Sequence, residues 1–272
     1  MRETKWKRNE DSGGILKDVC CFALDMDGTL YLDDQWIAGA LDFLEHIRRR
    51  GKKYVFLTNN SSRGSKAYFD KLQSMGLSIE PGQLATSGDA TIDYILRMDP
   101  GKKIFLMGNE TLKEDFLKHG IVLDDENPDM VVTAFDTNFD YNKMTKLCNF
   151  VRKKLPFIAT HPDFNCPTRN GFIPDIGAIH AYVEASTGRK PDKIIGKPNG
   201  EIVEYVMRLA GADREHTAMV GDRLYTDIPT GVNNGLISVC VLSGESSFDE
   251  VTACEPQPHL VFDSVREMIP FI

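Results

Sequence analysis

The sequence has no C-x-x-C pair, no cysteine–histidine spacing that would hold zinc, and no apolar run long enough to cross a bilayer. Its six cysteines are Cys20, Cys21, Cys148, Cys166, Cys240 and Cys254. They form no disulfide framework, and Cys20, Cys21 and Cys240 lie in apolar runs where cysteine packs as a small hydrophobe. A reducing cytoplasm suits that usage. The N-terminus lacks a signal-peptide core, so a soluble protein with no membrane partner is expected. A basic excess is also missing: 32 Lys and Arg stand against 40 Asp and Glu, a net charge of −8. No general field draws a polynucleotide, and no nucleic-acid partner is expected. The basic cluster Lys5, Lys7 and Arg8 lies in a polar stretch ending at Gly13-Gly14, and residues 1–18 read as a flexible tail.

With 42% hydrophobic residues, a chain of 272 residues can bury a large core. From Val19 onward apolar runs alternate with amphipathic stretches. Val19–Leu24, Tyr54–Leu57, Thr217–Val220 and Ile237–Leu242 read as strands, and Gly39–Arg50, Ser65–Met75 and Gly200–Leu209 as helices. Such alternation implies parallel strands joined by right-handed crossovers, an α/β fold with a doubly wound, Rossmann-like sheet. The middle of the chain is a second α/β unit. Its strands are Ile104–Met107, Met130–Ala134 and Phe157–Thr160, and its helices Thr111–Lys118, Tyr141–Lys153 and Ile176–Thr187. No flexible linker separates it from its flanks. It reads as an insertion at residues 83–189, within a core of residues 19–82 and 190–272.

Four polar clusters share one address, the C-terminal end of an expected strand, where open parallel sheets bind ligands. They are Asp25-Met26-Asp27-Gly28-Thr29, Thr58-Asn59-Asn60, Lys197 after Ile194-Ile195-Gly196, and Gly221-Asp222 with Asp227. Singly each has a mundane explanation: Asp-Gly is a common turn, and Lys-Pro is often a surface lysine before one. An EF-hand is excluded, because the places it reserves for glycine and glutamate hold Leu30 and Trp36. Together, in order on strand ends, the four point to phosphoryl transfer. A phosphate monoester repels an attacking carboxylate until its charge is neutralised, and a hard cation among oxygen ligands does that. A carboxylate-rich site without a His or Cys cluster selects Mg²⁺. Asp25 would be nucleophile and metal ligand, and Asp27 the general acid and base. Thr58 and Lys197 would hold the phosphoryl oxygens, with Asp222 on the metal. Asp227 would be a ligand or the acceptor of a metal-bound water's hydrogen bond.

These strings resemble the four motifs of the haloacid dehalogenase superfamily. Phe56-Leu57-Thr58-Asn59-Asn60-Ser61-Ser62-Arg63, and Thr187-Gly188-Arg189-Lys190-Pro191 through Gly196-Lys197-Pro198, resemble its class IIA branch. That branch contains p-nitrophenylphosphatase-like, pyridoxal phosphatase and phosphoglycolate phosphatase enzymes. The resemblance runs from about Val19 to the C-terminus. It implies a Mg²⁺-dependent phosphatase for small phosphate esters, acting through a phospho-aspartate on Asp25. It implies that the Asp25 carboxylate, the Asp27 main-chain carbonyl and the Asp222 carboxylate ligate the metal, with Asn59 and Asn60 beside the substrate. It also implies that the insertion is a cap closing over the site, and it allows a homodimer. Asp27 separates the chain from true dehalogenases, which lack an acid there.

In the cap, His161-Pro162-Asp163 occupies the place of the family's specificity loop, followed by Arg169 and Asn170. His161 reads either as a substrate contact or as a turn histidine before proline. Arg169 reads either as the clamp for a substrate carboxylate or second phosphate, or as a surface arginine. Two rival functions use similar residues: a phosphotransferase or phosphomutase sharing the aspartyl phosphate, and a phospho-accepting receiver module. The receiver has no use for a cap or for Asp27.

Overall fold

The computed structural model describes residues 7–62, 64–168 and 171–272. The chain sorts into two compact units. One holds the chain up to Thr58, Lys71–Ala85 and Lys197–Ile272, and the other Asn59–Asp70 and Thr86–Gly196. The fold is α/β: a core with a doubly wound sheet, carrying an inserted α/β cap.

The core sheet has six strands in the order Leu260–Phe262, Ile237–Val241, Thr217–Gly221, Cys21–Leu24, Lys53–Thr58 and Leu84–Thr86. The pairings from Leu260–Phe262 through Lys53–Thr58 are parallel. Phe22, Leu24, Phe56, Met219 and Val220 are buried, as continuous apolar strands must be when helices cover both faces. From the central Cys21–Leu24 strand the chain steps to Lys53–Thr58 on one side. It later returns as Thr217–Gly221 on the other. The sheet's switch point therefore lies where Asp25 and Asp222 leave their strands, level with each other because Leu24 pairs with Val220.

The cap sheet runs Lys193–Ile194, Phe157–Ala159, Met130–Thr133, Lys103–Met107, Val122–Leu123, with all pairings parallel. Phe105, Met107, Val131, Phe150, Phe157 and Ile176 fill its core against the helices Tyr141–Arg152 and Ile176–Thr187. Asn165–Thr168 and Gly171–Pro174 pair antiparallel as a separate two-stranded sheet.

Several expectations need correction. Residues 7–18 are not a free tail. Asp11 is buried and accepts the Ile15 and Leu16 amides at 2.9 and 2.8 Å, starting the short helix Ile15–Asp18 and burying Leu16. Asn9 exchanges hydrogen bonds with Asp263, and Arg8 pairs with the same carboxylate. Lys5 lies outside the described residues. Lys193–Ile194 belongs to the cap sheet, so the chain re-enters the core at Lys197, later than the expected boundary at residues 189/190. The insertion begins at Thr86, whose hydroxyl caps the helix Ser87–Met98 in a reciprocal box with Asp89. Cys20 is exposed, unlike Cys21 and Cys240, because the strand starts only at Cys21.

Candidate active site

The chain turns sharply after Leu24. The Leu30 amide donates to the Met26 carbonyl at 2.9 Å and the Gly28 amide to Tyr31 O at 2.9 Å. Gly28 has φ +91°, a conformation L side chains rarely adopt. The turn buries Asp25 and Thr29 while leaving Asp27 exposed. Two acids two residues apart thus have opposite environments, one held inside and one facing solvent.

Asp25, Asp222, Asp227 and Lys197 are all buried. Lys197 Nζ donates to Asp25 Oδ1 at 2.5 Å, to Asp227 Oδ1 at 2.7 Å and to Leu57 O at 3.4 Å. Thr58 ends the adjoining strand and is also buried. Lys197 reaches this place without being the end of a core strand: the strand before it lies in the cap sheet. Asp227 opens the helix Asp227–Asn233, and its second oxygen accepts the Arg223 amide at 3.1 Å.

Burial pushes the Asp25, Asp222 and Asp227 carboxyls above their ordinary range, more than Lys197 and Arg223 pull down Asp25 and Asp227, or the Glu245 amide, Arg223 and Thr29 pull down Asp222. Burial acts to lower Lys197, but the Asp227 and Asp25 carboxylates overcome it and keep the ammonium charged. Arg223 is held charged in the same way by Asp25 and Asp227. Three carboxylates against two cations leave room for further positive charge.

One ligand oxygen from each of Asp25, Asp222 and Asp227 lies within 4.8 Å of the others. Buried oxygen donors without nitrogen or sulfur fit a small hard cation such as Mg²⁺. Glycines make this cluster tight. A Cβ on Gly28 would fall 2.4 Å from Asp222 Oδ2, and one on Gly221 would fall 2.3 Å from the Asp227 carboxylate.

The remaining expected residues lie in the cap unit. Asn59 Nδ2 faces both Asp163 oxygens at 3.2 Å, and its carbonyl accepts Ser87 Oγ at 2.5 Å. Asn60 Oδ1 accepts the Ser62 amide and hydroxyl. His161 is wholly buried. Its Nε2 is 3.1 Å from Asp175 Oδ1 and its Nδ1 2.9 Å from Thr160 Oγ1. Both ring nitrogens are engaged by the protein, which favours the reading of His161 as a turn histidine over that of a substrate contact. Arg169 lies outside the described residues.

Arg223, Thr29 and the loop Ser243–Ser246 belong to the site, yet no role was assigned to them from the sequence. Arg223 directly follows Asp222 in the sequence. The loop follows the Ile237–Val241 strand, the same address as the other clusters.

Residues 22–122 match the family model of haloacid dehalogenase-like hydrolases, and residues 194–268 match a second model of the same kind. An acid sugar phosphatase of Staphylococcus aureus is 33% identical over 255 residues, covering 93% of this chain and 98% of that protein. The 5'-nucleotidase YutF of Bacillus subtilis is 34% identical, covering 92% and 98%. The crystal structure of a 4-nitrophenylphosphatase from Thermotoga maritima superposes with a TM-score of 0.92 at 44% identity, covering 94% and 98%. Motifs, topology and full-length similarity agree: the chain belongs to the haloacid dehalogenase-like hydrolases, in their class IIA branch.

Proposed function

We propose that this protein is a phosphoric monoester hydrolase that cleaves small phosphate esters through a covalent phosphate on Asp25, with Mg²⁺ as its metal. The observation that carries the reading is the Lys197 ammonium, held between Asp25 and Asp227 at 2.5 and 2.7 Å in a buried site. A buried lysine fixed to a buried aspartate supplies charge where a phosphoryl dianion meets a carboxylate. The similar proteins named above act on sugar phosphates, nucleotides and nitrophenyl phosphate. Their leaving groups differ, and the phosphate monoester is what they share.

In this reading an Asp25 oxygen attacks phosphorus, the bond from phosphorus to the leaving oxygen breaks, and Asp27 protonates that oxygen. Asp27 then takes a proton from water as the water attacks the acyl phosphate, releasing inorganic phosphate and restoring the Asp25 carboxylate. The exposed position of Asp27 suits this exchange with leaving group and water. Thr58 and Lys197 hold the phosphoryl oxygens. The Asp25 and Asp222 carboxylates and the Asp27 carbonyl would hold Mg²⁺, with Asp227 bound to it directly or through water. When bound, the ion supplies positive charge to the phosphoryl oxygens. The substrate is a small molecule, and among the described residues no helix is long and apolar enough to cross a membrane.

The test is a hydrolysis screen over sugar phosphates, nucleoside monophosphates, pyridoxal phosphate, glycolyl phosphate and p-nitrophenyl phosphate, with and without EDTA. Mg²⁺-restored phosphate release supports the reading. Turnover that is indifferent to chelation contradicts the metal. Turnover that an added sugar or alcohol accelerates by accepting the phosphoryl group indicates a phosphotransferase.

A further inference from the structure

The Asp222 carboxylate is gripped on both oxygens by groups outside the four motifs' carboxylates and lysine. Thr29 Oγ1 donates to Oδ1 at 3.1 Å, and the Glu245 main-chain N–H donates to Oδ2 at 2.7 Å. The carbonyl of Asp222 is held too, by Ser246 Oγ at 2.5 Å. Ser243 Oγ donates to the Gly28 carbonyl at 2.8 Å, tying the same loop to the Asp25–Tyr31 turn. Outside, the Glu245 carboxylate lies 3.4 Å from Arg223 Nε and accepts Tyr225 OH at 3.2 Å. Ser243, Glu245 and Ser246 therefore make five polar contacts with the two turns that carry Asp25 and Asp222.

The loop is pressed against the carboxylate as well as bonded to it. A Cβ on Gly244 would lie 2.0 Å from Asp222 Oδ2, closer than any real contact, and one on Gly28 would lie 2.4 Å from the same atom. A glycine above and a glycine below leave the carboxylate little freedom to rotate. Its side chain is fixed by sterics on Oδ2 and by directed hydrogen bonds on both oxygens. Groups of this kind orient a metal ligand without touching the metal.

We propose that Ser243–Ser246, together with Thr29, is a positioning strap that presents the Asp222 carboxylate to the divalent cation. Gly244 provides the close approach and the Glu245 amide the aim. The inference rests on the metal role of Asp222 proposed above and assigns its cause to residues that carry no charge into the site. Arg223 and Tyr225 anchor the strap through the Glu245 side chain, so the Glu245 carboxylate matters less than its N–H.

The experiment measures Mg²⁺ binding to the purified full-length protein by calorimetry, in the absence of substrate, beside thermal unfolding without metal. The variants are Gly244→Ala, Thr29→Val, Thr29→Ser and Glu245→Ala. Expected are Mg²⁺ dissociation constants raised about tenfold for Gly244→Ala and Thr29→Val. Thr29→Ser, which keeps the hydroxyl, stays within about twofold of wild type, and Glu245→Ala, which keeps the N–H, changes less than Gly244→Ala. Metal-free unfolding well above the temperature of the binding measurement, in every variant, shows that affinity is lost from a folded protein. If Gly244→Ala and Thr29→Val bind Mg²⁺ as wild type does, the strap proposal is overturned while the functional reading stands. If wild type itself binds no Mg²⁺ and needs none for turnover, the functional reading falls and the strap proposal with it.

Discussion

The Lys197 ammonium lies 2.5 Å from the Asp25 carboxylate, and both side chains are buried. Lys197 has a second carboxylate partner in Asp227, so one cation offsets two charges that burial alone would expel. Three buried carboxylates against Lys197 and Arg223 leave a net negative charge that a bound cation would offset. Burial, with the acids' mutual repulsion added, holds the three carboxyls high, while the Asp227 and Asp25 carboxylates keep the lysine charged.

Replacing Lys197 by methionine keeps its length and removes its charge. Breaking a buried ion pair from one side costs about 3–5 kcal/mol, and here two aspartates lose their partner. Without Lys197 the Asp25 and Asp227 carboxyls move further up, so the loss is largest at neutral pH and shrinks as acid protonates them. Urea unfolding of Lys197→Met at pH 7.5 and pH 5 measures this. A penalty that grows toward pH 5 would contradict the assignment.

Asp25→Asn should behave in the opposite way. The amide removes a buried charge, and Lys197 keeps Asp227 as its partner, so the unfolding temperature should be unchanged or higher. Turnover should fall by about three orders of magnitude or more, since an amide forms no acyl phosphate. Acid-quenched protein from labelled substrate should carry phosphate in wild type and none in the variant. Near-normal turnover in a folded Asp25→Asn protein that has not deamidated would sink the covalent mechanism.

Asp27→Asn separates the two acids. Its implied bond to the metal runs through the main chain, so Mg²⁺ affinity should persist while the rate falls about a hundredfold or more. p-Nitrophenyl phosphate has a good leaving group and needs little protonation, so its phosphorylation step, seen as a burst, should suffer less than that of an alkyl phosphate. Equal losses on both would remove Asp27 from the general-acid role.

What the sequence makes legible is local. Asp25, Asp27, Thr58, Asp222 and Asp227 follow apolar strands within a residue or two, or lie on the turn beyond one, so pattern and polarity locate them together. Lys197 was found for a partly mistaken reason. Periodicity identifies Ile194 as a strand residue but cannot say which sheet it joins, and it joins the cap. The Glu245 contribution is a main-chain N–H, which no side-chain motif records. Asp11 could have been read as a helix start before Ile15-Leu16, but an acid in a polar stretch looks like tail until Leu16 is seen buried beneath it. Three-residue edge strands such as Leu84–Thr86 and Leu260–Phe262 are too short for periodicity to register.

His161 should behave as an interior residue. The Phe135 amide donates to Ser61 Oγ at 3.0 Å, Ser61 Oγ lies 3.1 Å from Thr160 Oγ1, and Thr160 Oγ1 and Asp175 hold the two ring nitrogens. Both ring nitrogens therefore have their hydrogen-bond partners inside the protein. His161→Ala leaves Asp175 and Thr160 short of a partner and should cost about 1–3 kcal/mol of stability. A tenfold rise in KM for one substrate with no loss of stability would instead return His161 to the role of a substrate contact.

The last prediction concerns acid stability. His180 is buried beside the Phe157 ring with Nε2 2.9 Å from Thr133 Oγ1, and its pKa is pushed down to about 3 from 6.5. Burial is the main cause and His161 adds to it, while Asp175 opposes. The unfolded chain therefore takes up a proton at a pH where the folded chain does not. The stability this neutral histidine permits is full above pH 6.5 and is lost as pH falls toward 3. The carboxyls of Asp25, Asp222 and Asp227 act in the opposite sense. Raised above 3.8, they gain protons in the folded state first, so their contribution to stability increases as pH falls through that window. Wild type alone shows only the sum of these slopes. His180→Gln removes the histidine slope and leaves the carboxylates, so the difference between the two proteins isolates it. Urea unfolding at steps from pH 7.5 to pH 4 should show the stability difference between wild type and His180→Gln moving steadily in favour of the variant below pH 6.5. A difference that stays constant over that range would mean His180 is protonated in the folded protein and its burial carries no acid penalty.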